Sequence, residues 1–406
     1  MDELAIVEQI EKSLDLGISQ GIFPGGAVWL HRQNKPAITV CRGKAGSGEQ
    51  EPLVTEQTLY DLASLTKVVV TLPLILLSVQ HGKLSLTDSV VTHLPQLGEG
   101  HGGAEKEKIK IIHLLTHSSG LPAWRPFFLK GSGKRDYLRM IAEEQMIYKP
   151  GEQVVYSDLG FMLLGFILEE IWQTELSALA KQWIFEPSGM THTGYLPQSQ
   201  PVLRDCLIAP AEEGTPFERN MAEQYIWQLE AAEDPRAAGW RAACEGFAWR
   251  QDVIRGQVHD CNAYHGLEGV SGHAGLFSTL TDVARYMRIW TSEDAPVRID
   301  PLLLSFAARA QTGSAVPRRA VGWEASATGG SLDQIAHGCT GGDLLSEKAF
   351  GHTGFTGTSI WSDPLRGATL ITLTNRVHPI VHTTMNAWRR AHHNQIFSSI
   401  KPVGTS

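Results

Sequence analysis

Strand patterns lie near both ends of the chain, and a long helical stretch separates them. Residues 27–31 and 37–41 read as two strands joined by a polar turn, and residues 358–362 and 368–375 read as two more. A strand must pair with a neighbour to satisfy its backbone groups. The sequence therefore predicts an α+β fold, with one sheet built from both ends of the chain and a helical region inserted between them.

Apolar residues at helical spacing fill most of the remaining chain. The predicted helices cover residues 3–20, 68–81, 109–120, 157–172, 174–186, 279–290 and 380–399. The stretches 98–108, 126–136 and 325–350 are expected to be loops, and residues 197–265 are expected to form loops and short helices over the site. Pro73 is expected to bend or interrupt its helix.

Composition excludes several classes of function. A net charge of −8 argues against a nucleic-acid partner. Five separated cysteines without a C-x-x-C pair argue against a zinc site or redox pair, so we expect no cofactor and no metal, and a reducing compartment. The acidic start is unlike a signal peptide, and the apolar run 68–79 is too short to span a membrane. We expect a soluble cytoplasmic protein, or a periplasmic or secreted one if the natural N-terminus was trimmed.

A serine and a lysine stand three residues apart at the start of this apolar run. In a helix, Ser64 and Lys67 share a face, so their side chains can meet. A partly desolvated lysine can lose its proton near neutral pH and then accept the proton of the serine. The pair alone is a weak signal, because a capping serine followed by a lysine with an exposed head has the same spacing.

Two further stretches could complete a site for acyl transfer. Tyr156 lies at a loop-to-helix junction, where a phenol can relay protons, although Ser157 or Asp158 could simply cap that helix. Residues 351–357 are rich in glycine and threonine beside a strand. A backbone N–H there could face the anion that forms when a serine attacks a carbonyl, but a glycine-softened edge strand explains the composition equally well.

Three motifs stand in the order and approximate spacing of the penicillin-recognising serine hydrolases, namely Ser64-x-x-Lys67, Tyr156-Ser157-Asp158 and His352-Thr353-Gly354. The chain resembles the branch with class C β-lactamases, D,D-peptidases and related esterases, from about residue 25 to about residue 379. Residues 111–122 and 272–278 also fit, and residues 197–265 are the least typical. The resemblance implies a β-lactamase/transpeptidase-like fold. Its α/β domain with an antiparallel sheet would be residues 1–75 and 275–406, its helical domain 76–274, and the site would lie between them.

The resemblance also implies roles for individual residues. Ser64 would be the acylated nucleophile, Lys67 its base or proton partner, and Tyr156 a second proton carrier. The N–H groups of Ser64 and Phe355 would form the oxyanion hole. The residues implied for oxyanion and substrate binding are Phe355, His352, Thr353, Gly354 and Asp158.

Two residues depart from the pattern usual in class C β-lactamases. Asp158 stands where asparagine is usual, and His352 stands where lysine is usual. A carboxylate facing the cleft would repel the acid group of a β-lactam, and histidine is only partly charged at pH 7. We therefore expect a hydrolase of a small ester or a D-amino-acid amide or peptide, with weak or no β-lactam hydrolysis. The alternatives are a class C-type β-lactamase proper and a non-catalytic penicillin-binding or sensing module.

Other patterns have competing explanations. Residues 269–273 nearly match the nucleophile elbow G-x-S-x-G but lack a preceding strand. The pairs His113/His117 and His378/His382 are better explained by packing and capping than by a metal. Residues 258–263 could form a substrate-contact loop or a structural turn. The expected partner is a small molecule or short peptide, with no nucleic acid and no membrane span, and the oligomeric state is not indicated.

Overall fold

The computed structural model describes residues 3–292 and 294–404. Six of the strands in this part of the chain form an antiparallel sheet in the order β2-β1-β9-β8-β7-β6, and the other three form a small sheet in the order β3-β5-β4. The strands are β1 Gly25–Arg32, β2 Ile38–Gly43, β3 Tyr60–Asp61, β4 Gly194–Tyr195, β5 Leu276–Ser278, β6 Glu324–Ala325, β7 Phe350–Thr353, β8 Ser359–Asp363 and β9 Ala368–Thr374.

The helices precede, separate and follow these strands. They are α1 Glu3–Ser19, α2 Leu72–Gln80, α3 Val90–His93, α4 Gln96–Glu99, α5 Gly103–Lys106, α6 Ile111–Leu115, α7 Gly133–Glu143, α8 Asp158–Trp172, α9 Leu176–Ala180, α10 Glu186–Ser188, α11 Pro201–Arg204, α12 Pro216–Ala231, α13 Ala237–Glu245, α14 Leu280–Thr291, α15 Pro301–Ala308, α16 Leu332–His337 and α17 Met385–Ser398. Short π-helical turns occur at Lys67–Thr71, Lys181–Phe185 and Asn262–Gly266, and 3₁₀ turns at Phe127–Leu129 and Pro197–Ser199.

Strand β1 joins the two ends of the chain, because it pairs with β2 on one side and with β9 on the other. Side chains alternate across a strand, so neighbouring residues enter opposite layers. Val28 and Leu370 pack in the layer with α1 and α17, whereas Ala27 and Ile371 pack in the layer that holds most other helices. The prediction of one sheet built from both termini, covered by helices, is confirmed. The division into two domains stays a prediction.

The helix after Ser64 begins with a π-helical turn rather than a regular α-helix. The N–H of Leu72 reaches back five residues to the carbonyl of Lys67, and Pro73 follows in the first turn of α2. Proline has no N–H and clashes with the preceding turn of an α-helix, so the wider turn lies just where the helix must accommodate it. The predicted interruption at Pro73 is thus observed.

Several loop predictions were wrong. Residues 98–108 contain α5, residues 126–136 contain the start of α7, and residues 325–350 contain α16. The stretch 197–265 holds α12 and α13, which are longer than expected. The predicted helix over 109–120 is only α6, because His117 takes a left-handed conformation with φ 56°. No helix in the described ranges has the length and apolar character needed to cross a membrane.

Candidate active site

Ser64 lies in a tight turn that Asp61 organises. The N–H of Ala63 donates to Asp61 Oδ1 over 2.8 Å, and Ala63 has a left-handed backbone with φ 46°. The N–H of Lys67 then bonds to the carbonyl of Ser64 over 3.0 Å, which starts the helix. This turn places Lys67 Nζ 2.9 Å from Ser64 Oγ. The two side chains meet, as their three-residue spacing predicts.

Lys67 is fully buried, and its ammonium group donates hydrogen bonds to three groups of the site. Besides Ser64 Oγ, it donates to Asp158 Oδ1 over 2.8 Å and to the carbonyl of His273 over 3.0 Å. Burial acts to lower the pKa of Lys67, but the charges and hydrogen bonds of Asp158 and Tyr156 outweigh it, and the pKa is raised. Lys67 is therefore an ammonium ion at neutral pH in the resting site. The role of base or proton partner implied for Lys67 stays a prediction.

The orientation of Asp158 follows from the way α8 begins. Ser157 is the N-cap, and its hydroxyl accepts a hydrogen bond from the N–H of Gly160 over 3.3 Å. Because Ser157 caps the helix, Asp158 in the first turn can direct its carboxylate towards Lys67. The capping explanation considered for Asp158 thus applies to its neighbour instead.

Tyr156 lies between aromatic and cationic groups. Its ring centroid is 4.4 Å from that of His117, 4.9 Å from Lys67 Nζ and 5.4 Å from the guanidinium carbon of Arg319. Burial raises the pKa of Tyr156, and the positive charge of Lys67 only partly offsets this effect. The phenol therefore keeps its proton in the resting site.

His352 is neutral in this environment. Burial, together with the charges of Lys67 and Arg319, lowers its pKa well below the ordinary value. Its Nδ1–H donates to the carbonyl of Thr353 over 2.9 Å, so Nε2 carries the lone pair, and this atom has no hydrogen-bond partner among the described residues. The third motif thus contributes a neutral imidazole to the cavity wall rather than a positive charge.

The segment after β7 is tied directly to the nucleophile turn. Thr356 Oγ1 donates to the carbonyl of Asp61 over 2.7 Å, and Thr358 Oγ1 donates to the carbonyl of Leu62 over 3.1 Å. Gly354 packs so closely that a Cβ there would lie 2.4 Å from the Leu62 carbonyl oxygen. Within residues 3–292 and 294–404, the N–H groups of Ser64 and Phe355 have no recorded acceptor. Both residues line the same cavity, so the two N–H groups remain candidates for the predicted oxyanion hole.

These groups line a cavity of about 390 Å³ that is open to solvent. All the residues singled out in the three motifs line it except Lys67 and Ser157, and Lys67 lies directly beneath Ser64. Its other lining residues include Trp124, Phe217, Glu218, Met221, His259, Asp260, Arg319, Glu324, Thr340, Phe355, Arg376 and Arg389. The volume is sufficient for a small molecule or a short peptide end.

The sequence analysis singled out none of the three arginines that line the cavity, Arg319, Arg376 and Arg389. Arg319 is 8% exposed, and its guanidinium has no hydrogen bond to any of the residues that the structure describes. Arg389 is 3% exposed, and its guanidinium donates over 3.0 Å to Asn386, its one recorded acceptor in the described part of the chain. Burial lowers the pKa of Arg389 to about 9, so it remains charged at neutral pH. No motif marks Arg319 or Arg389, since each reaches the cleft from a segment remote from Ser64.

The segment 258–263 both lines the cavity and is held by hydrogen bonds. The N–H of His259 donates to Asp61 Oδ2 over 2.8 Å, so the segment braces the same carboxylate that shapes the nucleophile turn. Asp260 Oδ1 contacts His273 Nε2 at 3.0 Å, and His273 Nδ1 contacts Ser271 Oγ at 2.7 Å. Ser271 is buried and does not line the cavity. This trio therefore supports the His273 carbonyl that Lys67 contacts, and it offers no second nucleophile.

The histidine pairs have structural partners. His113 Nδ1 accepts from the N–H of Lys110 over 3.1 Å, and His117 Nδ1 accepts from the N–H of Ser157 over 3.0 Å. His378 Nδ1 donates to the carbonyl of Ala211 over 2.8 Å. Across the described part of the chain, no group of three or more metal-ligating side chains comes together.

A profile of the family described as "Beta-lactamase" matches residues 6–395, nearly the whole chain. The chain belongs to this family. Its members and the relatives below are serine hydrolases, and so is this protein. The resemblance recognised from the three motifs is thereby confirmed.

Relatives in the beta-lactamase family have differing names. A "Putative D-alanyl-D-alanine carboxypeptidase" of Salmonella agona (strain SL483) is 29% identical over 367 residues, which cover 87% of this chain and 76% of the relative. A structure titled "EstCE1, a hydrolase with promiscuous acyltransferase activity" superposes with a TM-score of 0.70 at 18% identity, over 97% of this chain and 99% of that one.

Two further structures confirm the fold. A class C beta-lactamase in complex with cefoxitin has a TM-score of 0.71 at 18% identity, and the match covers 98% of this chain and all of the other. An octameric penicillin-binding protein homologue from Pyrococcus abyssi has a TM-score of 0.68 at 18% identity, over 98% of this chain and 78% of that one. At such identities, the likeness establishes the β-lactamase/transpeptidase-like fold that the sequence predicts and no more.

Proposed function

We propose that the protein hydrolyses a small ester or a D-amino-acid amide or peptide through an acyl-enzyme on Ser64. The observation that carries this proposal is the 2.9 Å contact between Ser64 Oγ and Lys67 Nζ at the floor of the cavity. A hydroxyl becomes a useful nucleophile when an adjacent group takes its proton. Ser64 has such a group, and it lies where a substrate carbonyl can approach.

In the proposed reaction, Ser64 Oγ forms a bond to the substrate carbonyl carbon while its proton leaves into the hydrogen-bonded Lys67–Asp158 pair. The negative charge that develops on the carbonyl oxygen is accepted by the N–H groups of Ser64 and Phe355. Collapse of this intermediate breaks the bond to the leaving group, which takes that proton back from the pair. Water then cleaves the ester on Ser64 by the same steps in reverse order, which releases the acid and restores the hydroxyl.

The charges of the cavity favour a substrate that carries a carboxylate. Arg319 is buried and has no hydrogen-bonding partner among the residues that the structure describes, and Arg389 lines the same cavity. The negative charge of Asp158 is largely balanced by Lys67 at 2.8 Å, so its repulsion of an anionic substrate is weaker than the sequence suggested. Together with the name of the Salmonella relative, this supports a D-amino-acid peptide with a free C-terminal carboxylate over a neutral ester.

Efficient β-lactam hydrolysis is not part of this proposal. The neutral His352 supplies no ammonium group where the class C enzymes usually have lysine. We therefore expect slow acylation of Ser64 by penicillins.

The test combines covalent labelling with a substrate panel. A fluorophosphonate probe should label the protein once, and Ser64→Ala should remove the label. The parent protein should hydrolyse D-alanyl peptides faster than nitrocefin, with short p-nitrophenyl esters as general acyl donors. Lys67→Ala should lose about 10²–10⁴-fold in turnover, as expected when a proton-transfer partner is removed.

Each outcome separates the candidate functions. If Ser64→Ala is labelled as strongly as the parent, the acyl-enzyme mechanism is wrong. If the parent is acylated once by every substrate and never turns over, the non-catalytic penicillin-binding or sensing module replaces the hydrolase. If nitrocefin is the best substrate by far, the protein is a class C-type β-lactamase in its activity.

A further inference from the structure

The ammonium group of Lys67 lies between the Asp158 carboxylate and the Ser64 hydroxyl. Lys67 Nζ lies 2.9 Å from Ser64 Oγ and 2.8 Å from Asp158 Oδ1, so one ammonium group bridges a hydroxyl and a carboxylate. The Lys67 side chain is fully buried, whereas the Asp158 side chain is 18% exposed. An ammonium ion cannot accept a proton from Ser64 unless it gives one away at the same time.

We propose that Asp158 is the final proton acceptor when Ser64 is acylated, with Lys67 passing the proton between them. The inference rests on the proposed function, and it deepens it by assigning the base. It departs from the role implied by the family resemblance, in which this position only helps to bind substrate. The geometry carries it, because the three groups form an unbroken hydrogen-bonded chain.

The step conserves atoms and charge. As the bond between Ser64 Oγ and the carbonyl carbon forms, the hydroxyl proton moves to Lys67 Nζ and another ammonium proton moves to Asp158 Oδ1. Lys67 stays an ammonium ion, Asp158 becomes a neutral carboxylic acid, and the substrate carbonyl oxygen becomes the anion. When the leaving group departs, the proton returns from Asp158 through Lys67 to the leaving-group atom, and the resting pair is restored.

The groups around the pair leave no equally placed alternative base. Tyr156 keeps its proton because burial raises its pKa, and His352 and His117 have no recorded hydrogen bond to Ser64 or Lys67. Asp260 is held by His273. Burial acts to raise the pKa of Asp260, but the interactions with His273, the hydrogen bond from the N–H of Ala263 and the charge of Lys67 outweigh it and lower the pKa to about 2. The charged and titratable groups that face the pair are Tyr156, His117, His352, Arg319, Asp260 and His273.

Two mechanisms predict opposite effects of removing the carboxylate. If Asp158 is the acceptor, the resting pair is already reactive at and below neutral pH. In Asp158→Asn, Lys67 can accept the Ser64 proton only after it has lost one of its own. The acid limb of the pH profile, where the acylation rate falls towards low pH, then moves to higher pH. If neutral Lys67 is the base, Asp158 hinders it by raising the pKa of Lys67, so Asp158→Asn moves the acid limb to lower pH.

The experiment measures the rate of fluorophosphonate labelling of Ser64 as a function of pH, which requires no knowledge of the substrate. We expect the midpoint of the acid limb to rise by at least about one pH unit in Asp158→Asn, since that variant must wait for the lysine to deprotonate. At a pH below the new limb, labelling should be at least about tenfold slower than in the parent. Asp158→Glu should restore part of the lost rate.

A matched variant controls for other carboxylates. Asp205 is exposed and does not line the cavity, so Asp205→Asn makes the same chemical change outside the site. Asp205→Asn should leave the acid limb unchanged. Thermal unfolding of each variant checks that it folds.

A midpoint that stays in place or falls in Asp158→Asn overturns the assignment of Asp158. Absence of labelling in the parent, by contrast, would remove the proposed function itself. The two failures are therefore distinguishable.

Discussion

Removing the charge of Arg319 should weaken the enzyme against anionic substrates only. Arg319→Gln keeps a polar, though shorter, side chain and loses the guanidinium. Arg319 is 8% exposed, and its guanidinium has no recorded hydrogen-bond partner in the described ranges. A hydrogen bond between a charged donor and its partner contributes about 1.5–3 kcal/mol. We therefore expect kcat/KM for a D-alanyl peptide with a free carboxylate to fall by about 10- to 150-fold, at 1.36 kcal/mol for each factor of ten.

The assay compares that peptide with its C-terminal amide and with a neutral p-nitrophenyl ester. Because the amide lacks the anionic group, Arg319→Gln should change its kcat/KM by less than about threefold, well within one hydrogen bond. Arg309→Gln is a matched control, since Arg309 is exposed and does not line the cavity. An equal loss for the acid and the amide would refute the reasoning, because it would mean that Arg319 supports the site and does not read the carboxylate.

Two further perturbations test the oxyanion hole and the buried histidines. Gly354→Ala would place a Cβ 2.1 Å from Thr358 Oγ1, so we expect the segment after β7 to shift and kcat to fall on the order of 10²-fold, whereas Gly48→Ala, at 3.4 Å from its nearest neighbour, should be neutral in the same kinetic assay. His392 is buried between Ser13 and Thr372, and burial lowers its pKa from 6.5 to about 3. As pH falls, the unfolded chain therefore takes up this proton first, and the free energy of unfolding decreases by about 1.4 kcal/mol per pH unit between about pH 6.5 and about pH 3. When the free energy of unfolding is measured with urea at several pH values, its dependence on pH should be weaker by about one proton in His392→Gln. An unchanged pH dependence would contradict this.

The parts of the fold that the sequence predicted correctly are those with a strong local pattern. Strands β1, β2, β8 and β9 were recognisable because the side chains of neighbouring residues pack on opposite faces of one sheet. Helix α7 was missed because Gly131 lies just before it and Gly133 is its first residue, and two such glycines suggest a loop. Helix α12 begins with Pro216, a usual first-turn residue, but its apolar positions follow no clean helical period. Local patterns thus identify elements whose burial is regular and overlook those whose burial is not.

For the candidate site, sequence reasoning paired Ser64 with Lys67 but could not pair Lys67 with Asp158. The spacing of Ser64 and Lys67 on one helical turn is a local relation, and it could be derived. The contact between Lys67 and Asp158 joins residues 91 positions apart, and it depends on Ser157 taking the cap of α8. The tertiary fold alone brings Arg319 and Arg389 to the cavity, so no local sequence motif predicts their presence there.

The two departures from the class C pattern are best understood through the charge of the whole site. The carboxylate of Asp158 cancels the ammonium of Lys67, and the neutral His352 adds nothing, so the three motifs together carry no net charge. The positive potential that would attract an anionic substrate must then come from outside the motifs, and Arg319 is the unpaired cation that lies nearest to the Tyr156 ring. His352→Lys should therefore not increase selectivity for substrates with a carboxylate while Arg319 is present, because Arg319 already binds the carboxylate.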